Sequence, residues 1–162
     1  MIRKLHHNAY RCRDSEQTRA YYEGFLGLPL AGTLEIDETK SGRATRTLHT
    51  FYRLDDGSYL AFFEAPDMPF EFKPQHDFDL HIALEVERAA LEQMFAKGKA
   101  AGIETRGVSD HGFIDSIYFR DPNGYVIELC AKRADHDAQM DPATNGARAA
   151  LQRWTEGKVL QP

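Results

Sequence analysis

The sequence predicts an α+β fold of two tandem βαβββ modules, followed by a C-terminal tail that is partly helical. The predicted order of a strand, a helix and three strands occurs twice along the chain. A His-x-Ala pattern opens each copy, at His7 and at His81. When these histidines are superposed, the helix-ending glycines Gly27 and Gly102 fall within one residue of each other. Because a repeated unit of this kind does not bury its apolar face alone, we expect the copies to pack together.

Module 1 covers about residues 2–66. Asp14 is a suitable N-cap, with Gln17 at the N3 position, for a helix over Ser15–Phe25. The remaining pattern predicts strands over 2–12, 30–36, 47–54 and 58–64, a loop over 37–45 and a tight turn at 55–57.

Module 2 covers about residues 79–132 and follows a proline-containing linker over 65–79. Its predicted elements are strands over 80–86, 103–106, 115–119 and 125–130 and a helix over 89–101. The turn Asp121-Pro122-Asn123-Gly124 is well signalled, because proline fixes φ and Asn-Gly accepts positive φ. We assign residues 1–134 to one domain and 135–162 to the tail, with a helix over 142–156.

The charge and composition exclude several classes of partner. The 162 residues include 20 Lys and Arg against 25 Asp and Glu, for a formal net charge of −5, so nucleic acid is not an expected partner. No apolar run reaches the roughly 20 residues of a bilayer span, and the N-terminus lacks the apolar core of a signal peptide. Cys12 and Cys130 lie in predicted strands, which favours a reduced pair over a disulfide. We expect a soluble cytoplasmic protein with no membrane contact.

The repeat places three potential metal ligands at related positions. His7 and His81 begin equivalent strands, and Glu128 lies in an apolar strand where a carboxylate is costly unless it is paired or metal-bound. The module 1 equivalent of Glu128 is Ala61, which cannot ligate. Two imidazoles and one carboxylate form the facial triad that holds non-haem Fe(II). Each residue also has a structural alternative. A strand histidine is often a hydrogen-bonded core or rim residue, and of the adjacent His6 and His7 only one side chain is able to face the site. Glu128 is able to pair with Arg120 or Lys132.

Three segments of the chain resemble the vicinal oxygen chelate superfamily, which includes glyoxalase I, the bleomycin and fosfomycin resistance proteins and the type I extradiol dioxygenases. The segments are HHNAYRCRDSEQTRAYYEGFLGL, DLHIALEVE and DSIYFRDPNGYVIEL, within residues 2–131. The resemblance implies that the two modules form an open, barrel-like sheet around a divalent metal, with His7, His81 and Glu128 as ligands. Members with a fourth ligand carry it near Ala61, so the chain departs from the glyoxalase I pattern. The superfamily also implies a homodimer, with modules paired within one chain or exchanged between subunits.

A finer resemblance is to the extradiol dioxygenase signature: His111, a gap of five residues, Ile117-Tyr118, Asp121-Pro122, Gly124 and Glu128. It implies that His111 is the acid–base group and that Tyr118 hydrogen-bonds the substrate. Two departures are Ser109, where the signature expects another residue, and the turn 56–58, which lacks a second acid–base histidine. His49 on the facing strand is the candidate substitute, and Phe62 and Phe113 are candidates to line the substrate pocket.

The predicted function is therefore that of a non-haem Fe(II)-dependent extradiol-type dioxygenase that uses dioxygen to cleave a catechol-like aromatic diol. One alternative is a glyoxalase-like lyase, isomerase or thiol transferase that uses Mn, Ni, Co or Zn. Another is a metal-free, small-molecule-binding resistance protein. The missing fourth ligand and the pair formed by His111 and Tyr118 favour the dioxygenase, whereas the missing second histidine favours the alternatives.

Overall fold

Two open four-stranded sheets with associated helices form the fold, which confirms the predicted α+β class and its two modules. The computed structural model describes residues 1–72, 76–78 and 80–158. The strands are β1 (Tyr10–Arg11), β2 (Leu30–Glu38), β3 (Ala44–Arg53), β4 (Tyr59–Glu64), β5 (His81–Glu85), β6 (Thr105–Asp110), β7 (Ile114–Arg120) and β8 (Val126–Lys132). The helices are α1 (Ser15–Arg19), continued by a π-helical turn (Ala20–Phe25), α2 (Arg88–Ala100), α3 (His136–Gln139) and α4 (Ala147–Gly157).

The strand order is the same in both sheets: β1-β4-β3-β2 in the first and β5-β8-β7-β6 in the second. In the first sheet β1 pairs with β4 in parallel, and the other neighbours are antiparallel. The chain separates into two compact units, Met1–Ile82 with Arg120–Val126, and Ala83–Phe119 with Ile127–Pro162. The first unit thus includes the turn at 121–124 that the sequence predicted within module 2.

The first strand is much shorter than the predicted stretch over 2–12. An isolated parallel bridge joins His7 to Tyr59, and regular pairing begins only at β1. Between the two, the Asn8 side-chain oxygen accepts a hydrogen bond from the Ala61 amide at 2.7 Å. A side chain therefore occupies the place of a backbone acceptor, and this interrupts the ladder.

The predicted helix over Ser15–Phe25 is present, and its N-cap is confirmed. The Asp14 carboxylate accepts a hydrogen bond from the Gln17 amide at 2.7 Å. From Ala20 onward the backbone widens into a π-helical turn, and Gly27, with φ of 82°, follows the end of the helix. The apolar side of this helix packs into the core of the first unit, where the Tyr22 ring lies 4.6 Å from that of Phe62.

A buried carboxylate organises the turn at 121–124. Asp121 accepts hydrogen bonds from the Tyr22 hydroxyl at 2.9 Å and from the amides of Asn123 and Tyr125 at 2.9 and 2.8 Å. The Asn123 side-chain oxygen in turn accepts from the Arg13 amide at 2.9 Å. The turn is therefore fixed to the helical part of the first unit by polar contacts, in addition to its own proline and glycine.

The hairpin around residues 55–57 is confirmed, with Gly57 at φ of 77°. Other predicted boundaries were wrong. The loop over 37–45 is shorter, because β2 and β3 continue to pair as far as Glu38 and Ala44. The strand predicted at 103–106 is β6, which extends to Asp110 and leaves only residues 111–113 between β6 and β7.

The second unit is built on α2, whose Leu91 and Gly98 are buried. Gly98 permits close packing, because a Cβ there would lie 2.5 Å from a ring carbon of Phe119. The predicted helical tail is confirmed: the helix predicted over 142–156 is α4, which begins later, at Ala147, because Gly146, with φ of 69°, precedes it. The short helix α3 before it was not predicted.

Three remaining features concern the linker, the thiols and the helices. The linker predicted over 65–79 contains no helix or strand at its described residues, and 73–75 and 79 lie outside the described part. Cys12 and Cys130 are free thiols. Throughout the described ranges, every helix is too short or too polar to cross a bilayer.

Candidate functional site

Burial alternates along both segments that carry the predicted histidine ligands, β5 at His81 and the isolated bridge at His7. His81 and Ala83 on β5 are exposed, whereas Ile82 between them is half-buried. His7 is likewise exposed, and Asn8 after it is half-buried. Since alternate side chains point to opposite faces of a strand, each His-x-Ala pair presents one face, as the repeat predicted.

A histidine and aromatic cluster surrounds His7 in the first unit. The His49 ring lies 6.0 Å from the His7 ring and 4.2 Å from that of Phe51, and it stacks on Phe63 at 3.6 Å. The sequence could not tell which way His49 points. The structure brings it to the His7 side of β3.

Hydrogen bonds determine which ring nitrogen carries the proton in His81 and in His49. His81 Nδ1 lies 2.7 Å from the Asp77 carbonyl and His49 Nδ1 lies 3.0 Å from the Phe62 carbonyl. Because a carbonyl only accepts, each Nδ1 donates, and the neutral ring keeps its lone pair on Nε2. This arrangement at Nδ1 is typical of metal-binding histidines. Burial lowers the pKa of His49, which favours its neutral form.

The second unit joins His111, Tyr118 and Glu128. The Tyr118 hydroxyl lies 2.7 Å from His111 Nε2 and donates to Glu128 Oε1 at 3.4 Å. His111 lies in the connection 111–113, Tyr118 on β7 and Glu128 on β8, so neighbouring elements of one sheet bring the three together. Glu128 is buried, with 5% of its surface exposed, whereas His111 is open to solvent.

The predicted metal ligands are distributed over the two compact units. His7 and His81 belong to the first unit and Glu128 to the second. In the ranges that the structure describes, no three His, Cys, Asp or Glu side chains are grouped so that they could hold a metal ion. The ligand set of His7, His81 and Glu128 therefore stays a prediction, supported by the donor chemistry of each residue.

The two aromatic residues predicted to line a pocket differ in their positions. Phe62 has no exposed surface and packs among the rings of Tyr10, Tyr22 and Tyr52. We therefore assign Phe62 to the core rather than to a substrate pocket. Phe113 is half-buried beside His111, and its ring lies 5.8 Å from that of His136.

Two arginines that sequence reasoning missed lie next to the His111 and Tyr118 pair. Arg106 is opposite Tyr118 in the pairing of β6 with β7, and its guanidinium carbon lies 5.4 Å from the centre of the Tyr118 ring. Arg133 bonds to Asp110 and Asp115 on either side of the His111 connection. Only the pairing register would have predicted these contacts, because the sequence alone does not distinguish these arginines from solvated ones.

A sequence model of the glyoxalase/bleomycin resistance protein/dioxygenase superfamily matches residues 4–129. The chain belongs to this superfamily. The match spans both βαβββ modules and ends before the helical tail, as the resemblance of residues 2–131 predicted. No curated protein matches the chain.

Solved structures of the glyoxalase/bleomycin resistance protein/dioxygenase superfamily share this fold. A domain of this type from Frankia sp. EAN1pec is 18% identical with a TM-score of 0.65, over 82% of this chain and 100% of that chain. A glyoxalase/dioxygenase from Nostoc punctiforme is 24% identical with a TM-score of 0.60, over 81% and 92%. The fosfomycin resistance protein FosX from Listeria monocytogenes is 21% identical with a TM-score of 0.60, over 84% and 98%. At these identities the similarity shows the fold.

Proposed function

We propose that the protein is a non-haem Fe(II)-dependent extradiol-type dioxygenase that cleaves a catechol-like aromatic diol with dioxygen. The observation that carries this proposal is the hydrogen-bonded series of His111, Tyr118 and Glu128. The extradiol signature assigns an acid–base role to the first residue, substrate binding to the second and metal ligation to the third. Their proximity supports the use of all three in one site.

Iron is the metal that we propose, with His7, His81 and Glu128 as its ligands. The donor set fits, because it pairs imidazole nitrogens with a carboxylate whose Oε1 accepts a hydrogen bond from Tyr118. FosX has been described in complex with Mn(II), which shows a divalent metal in a protein of this fold. A bound Fe(II) supplies the positive charge that favours the deprotonated diol and the redox chemistry that dioxygen requires.

The residues of the chain orient the substrate and move protons. His111 Nε2 takes a proton from a substrate hydroxyl and returns it when the ring opens, the acid–base work for which proteins most often use histidine. When His111 Nε2 carries a proton it donates to the Tyr118 hydroxyl, which then donates to Glu128; when Nε2 is unprotonated, the hydroxyl is able to donate to His111 instead. We further propose that neutral His49, near His7, is the second proton acceptor that the turn 56–58 lacks.

The same proposal includes a cytoplasmic homodimer. A dimer would allow modules to pair either within one chain or between subunits. The two free thiols fit a reducing compartment.

The test is oxygen consumption by protein purified without oxygen, loaded with Fe(II) and supplied with a panel of small catechols. We expect oxygen uptake and a yellow ring-cleavage product from at least one diol. His111→Ala should retain iron and lose roughly 10²–10⁴-fold in kcat, the usual contribution of a general acid or base. His136→Ala is the control, since that ring bonds to Asp137 in the tail. Tight Zn or Ni with no oxygen uptake on any diol would refute the dioxygenase.

A second candidate is a reaction or binding event of the fosfomycin-resistance kind on a small oxygenated antibiotic. The observation that favours it is at the turn 56–58, where the Ser58 hydroxyl bonds to Asp56 at 2.6 Å and no histidine is present. TnmS3 from Streptomyces sp. CB03234, an antibiotic-binding protein with a TM-score of 0.59 and 19% identity, has the same fold. Protection of antibiotic-treated cells without oxygen uptake in the purified protein would favour this candidate over the dioxygenase.

A further inference from the structure

The connection that carries His111 is short and is held at both ends by one arginine. Residues 111–113 join β6 to β7, and Arg133 is the first residue after the end of β8. Its guanidinium Nη2 lies 2.8 Å from Asp110 Oδ2 and donates to Asp115 Oδ1 at 2.8 Å. The Arg133 amide also donates to the Phe113 carbonyl at 3.0 Å.

These bonds fix the residues on both sides of His111. The Asp110 carboxylate, which forms an ion pair with Arg133, also accepts a hydrogen bond from the Gly112 amide at 2.7 Å. The His111 amide donates to the Ile114 carbonyl at 3.0 Å. The histidine is itself exposed, so its direction depends on these backbone anchors and on its hydrogen bond with Tyr118.

We propose that Arg133 is a positioning residue that keeps His111 Nε2 within hydrogen-bond distance of the Tyr118 hydroxyl. The proposal rests on the acid–base role of His111 in the proposed function. Gly112 has a φ of 87°, which many residues avoid but glycine adopts freely, so the connection has little conformational restraint of its own. Without Arg133, the charges of Asp110 and Asp115 at the two ends of the connection would also repel each other.

The structure separates this role from general stabilisation of the sheet. Asp115 is nearly buried and also binds Arg88, whose Nη2 lies 2.5 Å from Asp115 Oδ2. Arg133 is the larger cause of the lowered pKa of Asp115, and Arg88 is a smaller one. Arg88 has no bond to Asp110. Arg88→Gln therefore removes a comparable ion pair at the same carboxylate while it leaves the His111 connection anchored.

The experiment follows the His111 ring by NMR in metal-free protein labelled with ¹³C-histidine. Tyr118→Phe provides the position of the resonance when the hydrogen-bond partner is missing. We expect Arg133→Gln to move the His111 resonance most of the way to that position, and Arg88→Gln to leave it at the wild-type position. A resonance that stays in place in Arg133→Gln, or that moves equally in Arg88→Gln, would overturn the proposal.

Folding and turnover supply the remaining controls. Should Arg133→Gln fail to fold, Asp110→Asn breaks the same anchor from an exposed side chain and must give the same NMR result. In the iron-loaded protein, Arg133→Gln should lower kcat about tenfold to a hundredfold, as misplaced catalytic groups do, with KM within about twofold. Arg133→Lys should recover part of that loss, whereas equal losses in Arg88→Gln would contradict the proposal. Absence of turnover in the wild type would refute the dioxygenase, and the NMR comparison would still test Arg133.

Discussion

Replacing Tyr22 by phenylalanine tests the buried network that fixes the turn at 121–124. The Tyr22 hydroxyl donates to Asp121 at 2.9 Å, and both side chains are buried. A hydrogen bond to a charged group contributes about 1.5–3 kcal/mol to the free energy of unfolding. Because Asp121 retains its bonds to Asn123 and Tyr125, we expect the lower end, about 1.5 kcal/mol. For a chain of this size that lowers Tm by roughly 3–6 °C.

The neighbouring Tyr21 provides a matched control. It is buried on the same π-helical turn, and its hydroxyl has no hydrogen-bond partner in the part of the chain that the structure describes. Tyr21→Phe should therefore be neutral, or stabilising by up to about 1 kcal/mol, because it removes an unsatisfied polar group. Urea denaturation of both variants gives the comparison. Equal stability of the two variants would refute the assigned role of Asp121.

The pH dependence of this difference has a defined sign. Burial raises the pKa of Asp121, and the Tyr22 hydroxyl is one of the donors that oppose this shift. A raised folded-state pKa means that the contribution of the group to stability is complete below its unfolded pKa and is lost as pH rises through the folded pKa. Removal of Tyr22 raises that pKa further. The penalty of Tyr22→Phe should therefore be larger at pH 8 than near pH 4, and a constant penalty would contradict this account.

Two further predictions concern Gly98 and Asp115 in the second unit, the first with a control glycine in the first unit. Gly98→Ala should lower the free energy of unfolding by about 1–3 kcal/mol through overpacking, since the new Cβ would lie 2.5 Å from Phe119. Gly24→Ala, with no neighbour within 4 Å, should raise it by about 0.5–1 kcal/mol. Thermal unfolding measures both variants, and equal effects would contradict the packing. The Arg133 hydrogen bond lowers the pKa of Asp115 in the folded protein. The stability that ionised Asp115 contributes is therefore present above its unfolded pKa and is lost as pH falls through its folded pKa. Asp115→Asn should flatten the acid limb of the stability curve, and an unchanged limb would show that another group causes it.

Local signals were sufficient to predict the order of the elements. The N-cap at Asp14 and the turn glycine Gly57 depend on neighbours within a few residues, and both are as predicted. The boundaries were less predictable where a distant partner decides them. Asn8 interrupts the first strand because of Ala61, 53 residues away, and the sequence has no local signal for that contact.

The candidate site was predictable to a similar extent. The signature supplied His111, Tyr118 and Glu128, and the structure brings these three together. Phe62 was misassigned to the pocket because an aromatic strand residue has the same sequence pattern whether it faces a core or a cavity. The side to which His49 points, and the anchor at Arg133, depend on strand register, which one sequence does not define.

The iron content of the protein tests the central claim most directly. Protein purified without oxygen, loaded with Fe(II) and freed of excess metal should retain about one iron per chain, the occupancy of a single facial triad. His7→Ala, His81→Ala and Glu128→Gln should each lose it, whereas His136→Ala, which removes a histidine whose ring bonds to Asp137 in the tail, should keep it. Iron that stays bound in all three ligand variants, or that is lost equally in His136→Ala, would contradict the proposed metal site.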